Sequence, residues 1–226
     1  MKETEPPSMI KKYYVSSIFI LIFILSLSNT VYTQYNFGLN GGLTFNSLTG
    51  DAPVDGSYVR KIGYTAGLHF ELHVSSDILL GVGARYYKTG TTVTYDVGEK
   101  ETVDSFDVNI AYISIPVSFK VLTGGKSTYF TSGLDYKYLL SADLKYLIAS
   151  KEDKDIKQRM QNNEIAIFAG FGGLISLGRP SIGLELRYSH SLNNVSKDNQ
   201  SNTSSLPARF RFTGFQLLIF LNYGSK

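Results

Sequence analysis

Three histidines are the residues with the plainest capacity for chemistry. His69 and His73 bracket Glu71 in a His-x-Glu-x-His pattern, and imidazole nitrogens with a carboxylate are ligands of zinc and related ions. On a β-strand all three side chains share one face, but positions i and i+4 lie ~13 Å apart at ~3.3 Å per residue. That is too far for one ion without a bend, so no metal site is expected. His190 lies in Tyr188-Ser189-His190-Ser191, where a base beside a hydroxyl raises the case of an activated nucleophile in a lipid-modifying enzyme at a membrane rim. In a strand both serines point away from the histidine, and no acid partner is evident. The chain lacks a Gly-x-Ser-x-Gly elbow, a phosphate-binding Walker loop and a dinucleotide fingerprint. It also lacks cysteine, which removes disulfides and thiolate metal sites. The expectation is a protein with no catalytic residue, metal or cofactor, and not an enzyme.

A second set of polar residues has clearer order. Glu71, Arg85, Lys120, Asp135, Lys137, Glu185 and Arg187 each sit inside a run of alternating apolar and polar residues. The hairpin over residues 112–142 shows the pattern best. Ile113, Ile115, Val117, Phe119 and Val121 share one face, opposite Tyr112, Ser114, Pro116, Ser118 and Lys120. After a Thr123-Gly124-Gly125 turn, Leu134, Tyr136, Tyr138 and Leu140 oppose Asp135 and Lys137.

Similar strands are expected over residues 35–46, 61–74, 78–88, 164–177 and 181–192, and in a last strand around Phe215 to Tyr223. Together they make eight. Polar segments 47–60, 89–109, 143–163 and 193–208 read as long loops, alternating with short turns at 75–77, 123–125 and 178–180. Long outer loops and short periplasmic turns in alternation are the rule for outer-membrane barrels. The expected fold is therefore all-β: an eight-stranded antiparallel up-and-down transmembrane β-barrel with a filled polar interior.

The phase of the charges selects the face that meets lipid. All seven lie opposite the apolar set. An Arg or Lys facing lipid near the midplane costs roughly 2–4 kcal/mol, so four misplaced bases approach a domain's whole stability. The charges then face inward, where eight strands leave room only for side chains, and the reading is a paired ionic core rather than an open pore. A lipocalin-like soluble carrier needs the opposite phase. Pro116 cannot donate to a strand ladder, so a local bulge is expected there.

Residues 1–33 read as a signal peptide. Lys11 and Lys12 precede an apolar run centred on residues 18–25, and Val31 and Thr33 suit a cut between Thr33 and Gln34. The run is shorter than the ~20 residues of a spanning helix. Initiation at Met9 rather than Met1 gives a more typical basic start. Residues 34–226 form the barrel domain. A net charge of +3 gives no case for nucleic acid, and 16 Tyr with 14 Phe suit aromatic girdles.

The strand Tyr112-x-x-Ile115-Pro116-x-x-x-Lys120, then Gly133 and Tyr136-Lys137-Tyr138, resembles the PorT-like outer-membrane β-barrel proteins of Bacteroidota. Phe37-Gly38 with Gly42-Leu43-x-Phe45, and Arg187-Tyr188-Ser189, add to the likeness, which runs from about Tyr35 to Tyr223. Residues 88–90 depart from the family's usual Lys-Gly ending of the third strand by reading Lys-Thr-Gly, and Gly-Ser-Lys follows the terminal aromatic. The resemblance implies a barrel in outer-membrane lipid, inserted by the barrel-assembly machinery and monomeric. Its role would be structural or surface-interacting, through a protein partner at the outer loops, with a link to secretion or envelope integrity in some members.

Overall fold

The computed structural model describes residues 34–50, 56–95, 105–146, 154–197 and 209–224. Residues 1–33, with the signal-peptide reading and the choice of start, lie outside the described residues, as do the centres of the four long loops. The strands are β1 Tyr35–Gly50, β2 Gly56–His73, β3 Ile78–Tyr95, β4 Ser105–Thr123, β5 Thr128–Tyr146, β6 Lys154–Asp155, β7 Asn163–Ser176, β8 Pro180–Ser191 and β9 Phe210–Gly224. Each pairs antiparallel with its neighbours, β1 pairs with β9, and β7 follows β5 directly in the ring. β6 only adds two residues to the outer end of β5. The result is a closed barrel of eight strands, which has no free edge.

The short β4–β5 turn is built on backbone that favours glycine. Gly124 and Gly125 have φ of 58° and 69°, a left-handed conformation that costs glycine little. Lys126 follows at φ 72°.

Large apolar side chains cover the outside. On β9, Phe215, Leu217, Ile219, Leu221 and Tyr223 are all exposed, alternating with buried Gly214, Gln216, Leu218, Phe220 and Asn222. Nine residues match the length of a tilted transmembrane strand, ~9–11 residues. Aromatic pairs mark both borders of this band: Tyr188 with Phe215 at 5.3 Å and Tyr64 with Tyr86 at 6.0 Å on the outer side, and Tyr35 with Phe70 at 6.1 Å on the other.

The strands run well past the band into segments expected as loops. β1 and β2 take up most of residues 47–60, and β3 and β4 most of 89–109. Beyond the membrane the outer face meets water, so the alternation inverts. Val93, Phe106, Val108 and Phe212 point inward there, with Thr92, Asp107 and Arg211 on the outside. On that outer wall Lys61 Nζ donates to Asp107 Oδ2 at 2.6 Å and Thr92 Oγ1 donates to Oδ1 at 2.6 Å. Burial opposes ionisation of Asp107, but these hydrogen bonds outweigh it and hold its pKa below the usual carboxylate value.

Pro116 makes no bulge. It pairs with Asp135, and the β4–β5 register is unbroken from Tyr112 to Thr123. On its other side β3 places Gly83 across from it; a Cβ on Gly83 would lie 3.2 Å from Pro116 Cγ. The ring thus sits where β3 offers no side chain. The irregularity lies higher, between Ala111 and Tyr112, whose partners are Ser141 and Leu139. Leu140 is the extra residue, and the inward set of β5 changes from Asp135, Lys137 and Leu139 to Ala142 and Leu144.

The filled interior has three tiers. Leu79, Leu122 and Tyr129 close the periplasmic end, with Leu174 against them. The polar tier occupies the middle. An apolar cluster including Leu48, Val93, Phe106, Ile110, Leu144 and Phe210 fills the outer end. Ile156, Met160 and Val195, from the segments after β5 and β8, complete it. Backbone bonds fix that cover: Ile156 N–H to Ala142 O at 2.9 Å, Gln161 N–H to Val195 O at 2.7 Å, and Lys197 N–H to Arg159 O at 2.9 Å.

Candidate functional site inside the barrel

Inward-facing positions of β2, β3, β4, β5 and β8 place Glu71, Arg85, Lys120, Asp135, Lys137, Glu185 and Arg187 in the middle tier, each no more than 5% exposed. They form two groups. In the lower group Lys120 Nζ lies 2.7 Å from Glu71 and 3.6 Å from Glu185. Arg187 donates to Glu185 Oε1 through both Nη2 at 2.5 Å and Nε at 2.8 Å. The Tyr129 hydroxyl donates to Glu185 Oε2 at 3.0 Å. Aromatic faces complete the shells of the cations. Lys120 lies 4.6 Å from the Tyr129 ring and 4.5 Å from Phe220, and Arg187 stacks 3.8 Å from Phe168.

The upper group holds a residue that sequence reasoning missed. Lys137 Nζ pairs at 2.6 Å with Glu164, which is 1% exposed, and the Ser191 hydroxyl donates to the same carboxylate. Ser114 donates to Asp135 at 2.6 Å, and Lys137 lies 4.7 Å from the Tyr87 ring. With Glu164 the belt holds four acids and four bases. Two signals in the chain pointed to it. Glu164 shares parity with Ala166 and Phe168 while Ile165 and Ile167 face out, and without it the inward set carries one base too many.

Because these charges are desolvated, removing one partner of a pair costs far more than removing both. Lys137→Met or Glu164→Gln alone is expected to lower barrel stability by about 3 kcal/mol or more, and the double variant by less than either. Urea unfolding in lipid vesicles checks the order of the three.

The histidine pattern is divided among separate partners. His69 Nε2 donates to Asn222 Oδ1 and Nδ1 accepts from Asn40 Nδ2 at 3.2 Å, while the ring meets Phe220 edge-on at 5.1 Å. Glu71 is held by Lys120, and His73 lies 3.4 Å from Asn36 Nδ2. No group of three potential metal ligands occurs among the described residues. His190 is on the outward face, across from Ile167 and Thr213, while Ser189 and Ser191 are buried on the inner face.

Little space remains. Beside Arg85 a cavity of about 10 Å³, lined in part by Glu71, Pro116, Lys120 and Phe220, is no larger than the space one water needs. Arg85 Nε has no hydrogen-bond acceptor there. The middle tier can lock strands together by charge pairing.

A family model, outer membrane protein beta-barrel domain, matches residues 28–197. The chain belongs to this family. Its site of action is the outer membrane, with the apolar band in lipid. Among solved structures it is similar to Ail, the attachment invasion locus protein of Yersinia pestis, with TM-score 0.44, 12% identity and coverage of 83% of this chain and 98% of that one. It is also similar to OprG of Pseudomonas aeruginosa, with TM-score 0.47, 11% identity and coverage of 85% and 95%. A third is the outer membrane protease OmpT of Escherichia coli, with TM-score 0.39, 9% identity and coverage of 88% and 100%. No curated protein matches the chain.

Proposed function

We propose that this protein is a closed, non-catalytic, monomeric barrel that serves the outer membrane structurally or as a surface-interaction module, through a protein partner at its outer loops. The observation that carries the reading is the filled bore: a balanced ionic belt in the middle and an apolar plug above it. In this reading residues 1–33 are a signal peptide cut near Thr33, and residues 34–226 are inserted by the barrel-assembly machinery. Membership of the PorT-like branch, with a role accessory to secretion or envelope integrity, rests on the motifs around Pro116 and Tyr136.

Purified monomer in planar bilayers is expected to give no steady channel of nanosiemens scale. Stable steps of that size overturn the closed-barrel reading. A rim enzyme based on His190 is opposed by the burial of both flanking serines on the other face; unchanged lipid A composition in a His190→Ala strain is the matching result.

A further inference from the structure

The ionic belt is balanced as a whole but not in space. Its upper group sets Asp135 and Glu164 against Lys137, an excess of one negative charge. Its lower group sets Arg85, Lys120 and Arg187 against Glu71 and Glu185, an excess of one positive charge. Ion pairs join Lys120 to Glu71 and Arg187 to Glu185, and Arg85 takes part in neither. Arg85 is nevertheless only 4% exposed, and a buried charge without a counter-charge is strongly destabilising.

The small cavity beside Arg85 is where the excess is concentrated. Arg85, Lys120 and Arg187 all line it, and Glu71 is the one carboxylate in the lining. Two buried guanidinium nitrogens of that lining, Arg85 Nε and Arg187 Nη1, have no hydrogen-bond acceptor among the described residues. Ser118 adds a hydroxyl. Strand β3 makes the space. Its inward positions below Arg85 are Gly81 and Gly83, which pair with Glu71 and His69 of β2. A Cβ on Gly81 would lie 2.5 Å from Ser118 Oγ, and one on Gly83 2.9 Å from Leu68 O. Any larger residue at either position would take up the room.

A lining with two unanswered N–H donors and surplus positive charge suits a ligand that only accepts. Hydrogen bonds from a guanidinium to an anion are charge-assisted and strong, and the low-dielectric interior strengthens them further. We infer that this cavity is a binding site for a single monovalent anion of halide size, such as chloride. The anion accepts from Arg85 Nε and Arg187 Nη1 and cancels the excess charge of the lower group. It gives Arg85 the counter-charge that no side-chain ion pair supplies. Chloride is slightly larger than a water, and the long side chains of Arg85 and Lys120 draw back to admit it. Apolar tiers lie above and below the belt, so the ion is enclosed as the barrel folds.

The test folds the full chain into mild detergent in sodium chloride, sodium bromide or sodium gluconate at equal ionic strength. Gluconate is too large for the cavity. Crystals of the bromide-folded protein are expected to show one anomalous peak between Arg85 Nε and Arg187 Nη1. The thermal midpoint is expected to be several degrees higher in chloride or bromide than in gluconate. Arg85→Met removes the donor together with the surplus charge, and is expected to abolish both the peak and the difference. Arg85→Lys keeps the charge without Nε, and is expected to retain a smaller difference. Heat-modifiable gel mobility shows which variants are folded. Equal wild-type midpoints in the three salts, a map with water only in the cavity, or an undiminished difference in either folded variant overturns the site.

Discussion

Glu185→Ala is expected to cost the barrel about 3–5 kcal/mol of folding free energy, the scale for leaving a buried charge without its partner. Glu185 is fully buried and is the hub of the lower group. It accepts from Arg187 twice, from Tyr129 once, and lies 3.6 Å from Lys120. Without it Lys120 keeps Glu71 at 2.7 Å, but Arg187 loses the carboxylate that meets its Nη2 and Nε and keeps the face of Phe168. The buried guanidinium keeps its positive charge. Glu185→Gln retains acceptor and volume and loses only the charge, so it should fall between Ala and wild type. The chain has no Trp, so tyrosine emission and heat-modifiable mobility report unfolding in urea with phospholipid vesicles. A Glu185→Ala barrel that unfolds within about 1 kcal/mol of wild type, the size of an ordinary point change, means that the belt is not an energetic lock.

The membrane-embedded part of this fold was legible because two solvents impose one rule on every strand. Lipid outside requires apolar residues such as Ile113, Ile115 and Val117, and the inside takes every strand charge. Above the band that rule lapses. Thr91, Val93, Val108 and Ile110 still form strands, but their apolar members point inward, so the run from 89 to 109 resembles a polar loop to anyone searching for outward apolar residues. The Leu140 bulge compounds this in β5 by changing parity within one strand. Pro116 misled for a different reason. Its missing N–H is a local property, whereas the room for its ring depends on Gly83, a residue far away in sequence. Glu164 escaped notice because it stands at a strand end, and only the register pairing Lys137 with it gives it a role.

Ile219→Arg is expected to destabilise the barrel by about 2–4 kcal/mol, whereas Ile62→Arg should cost about 0–1 kcal/mol. Both isoleucines are exposed on the outer wall, at 57% and 65%, so accessibility alone predicts no difference. Depth does. Ile219 is the middle of the five outward residues of β9, with Phe215 and Leu217 on one side and Leu221 and Tyr223 on the other. An arginine there must reach across several ångströms of hydrocarbon or draw water into it. Ile62 lies at the outer border, beside exposed Arg60 and two positions from Tyr64. From there a guanidinium extends to the headgroups along its own aliphatic stem. Leu218→Ala probes the opposite side of the same wall: Leu218 is fully buried, and its loss should leave a cavity costing about 2–5 kcal/mol. Unfolding each variant in vesicles separates the two solvents. If Ile219→Arg costs no more than Ile62→Arg, the outward apolar face does not meet hydrocarbon at the depth assigned to it.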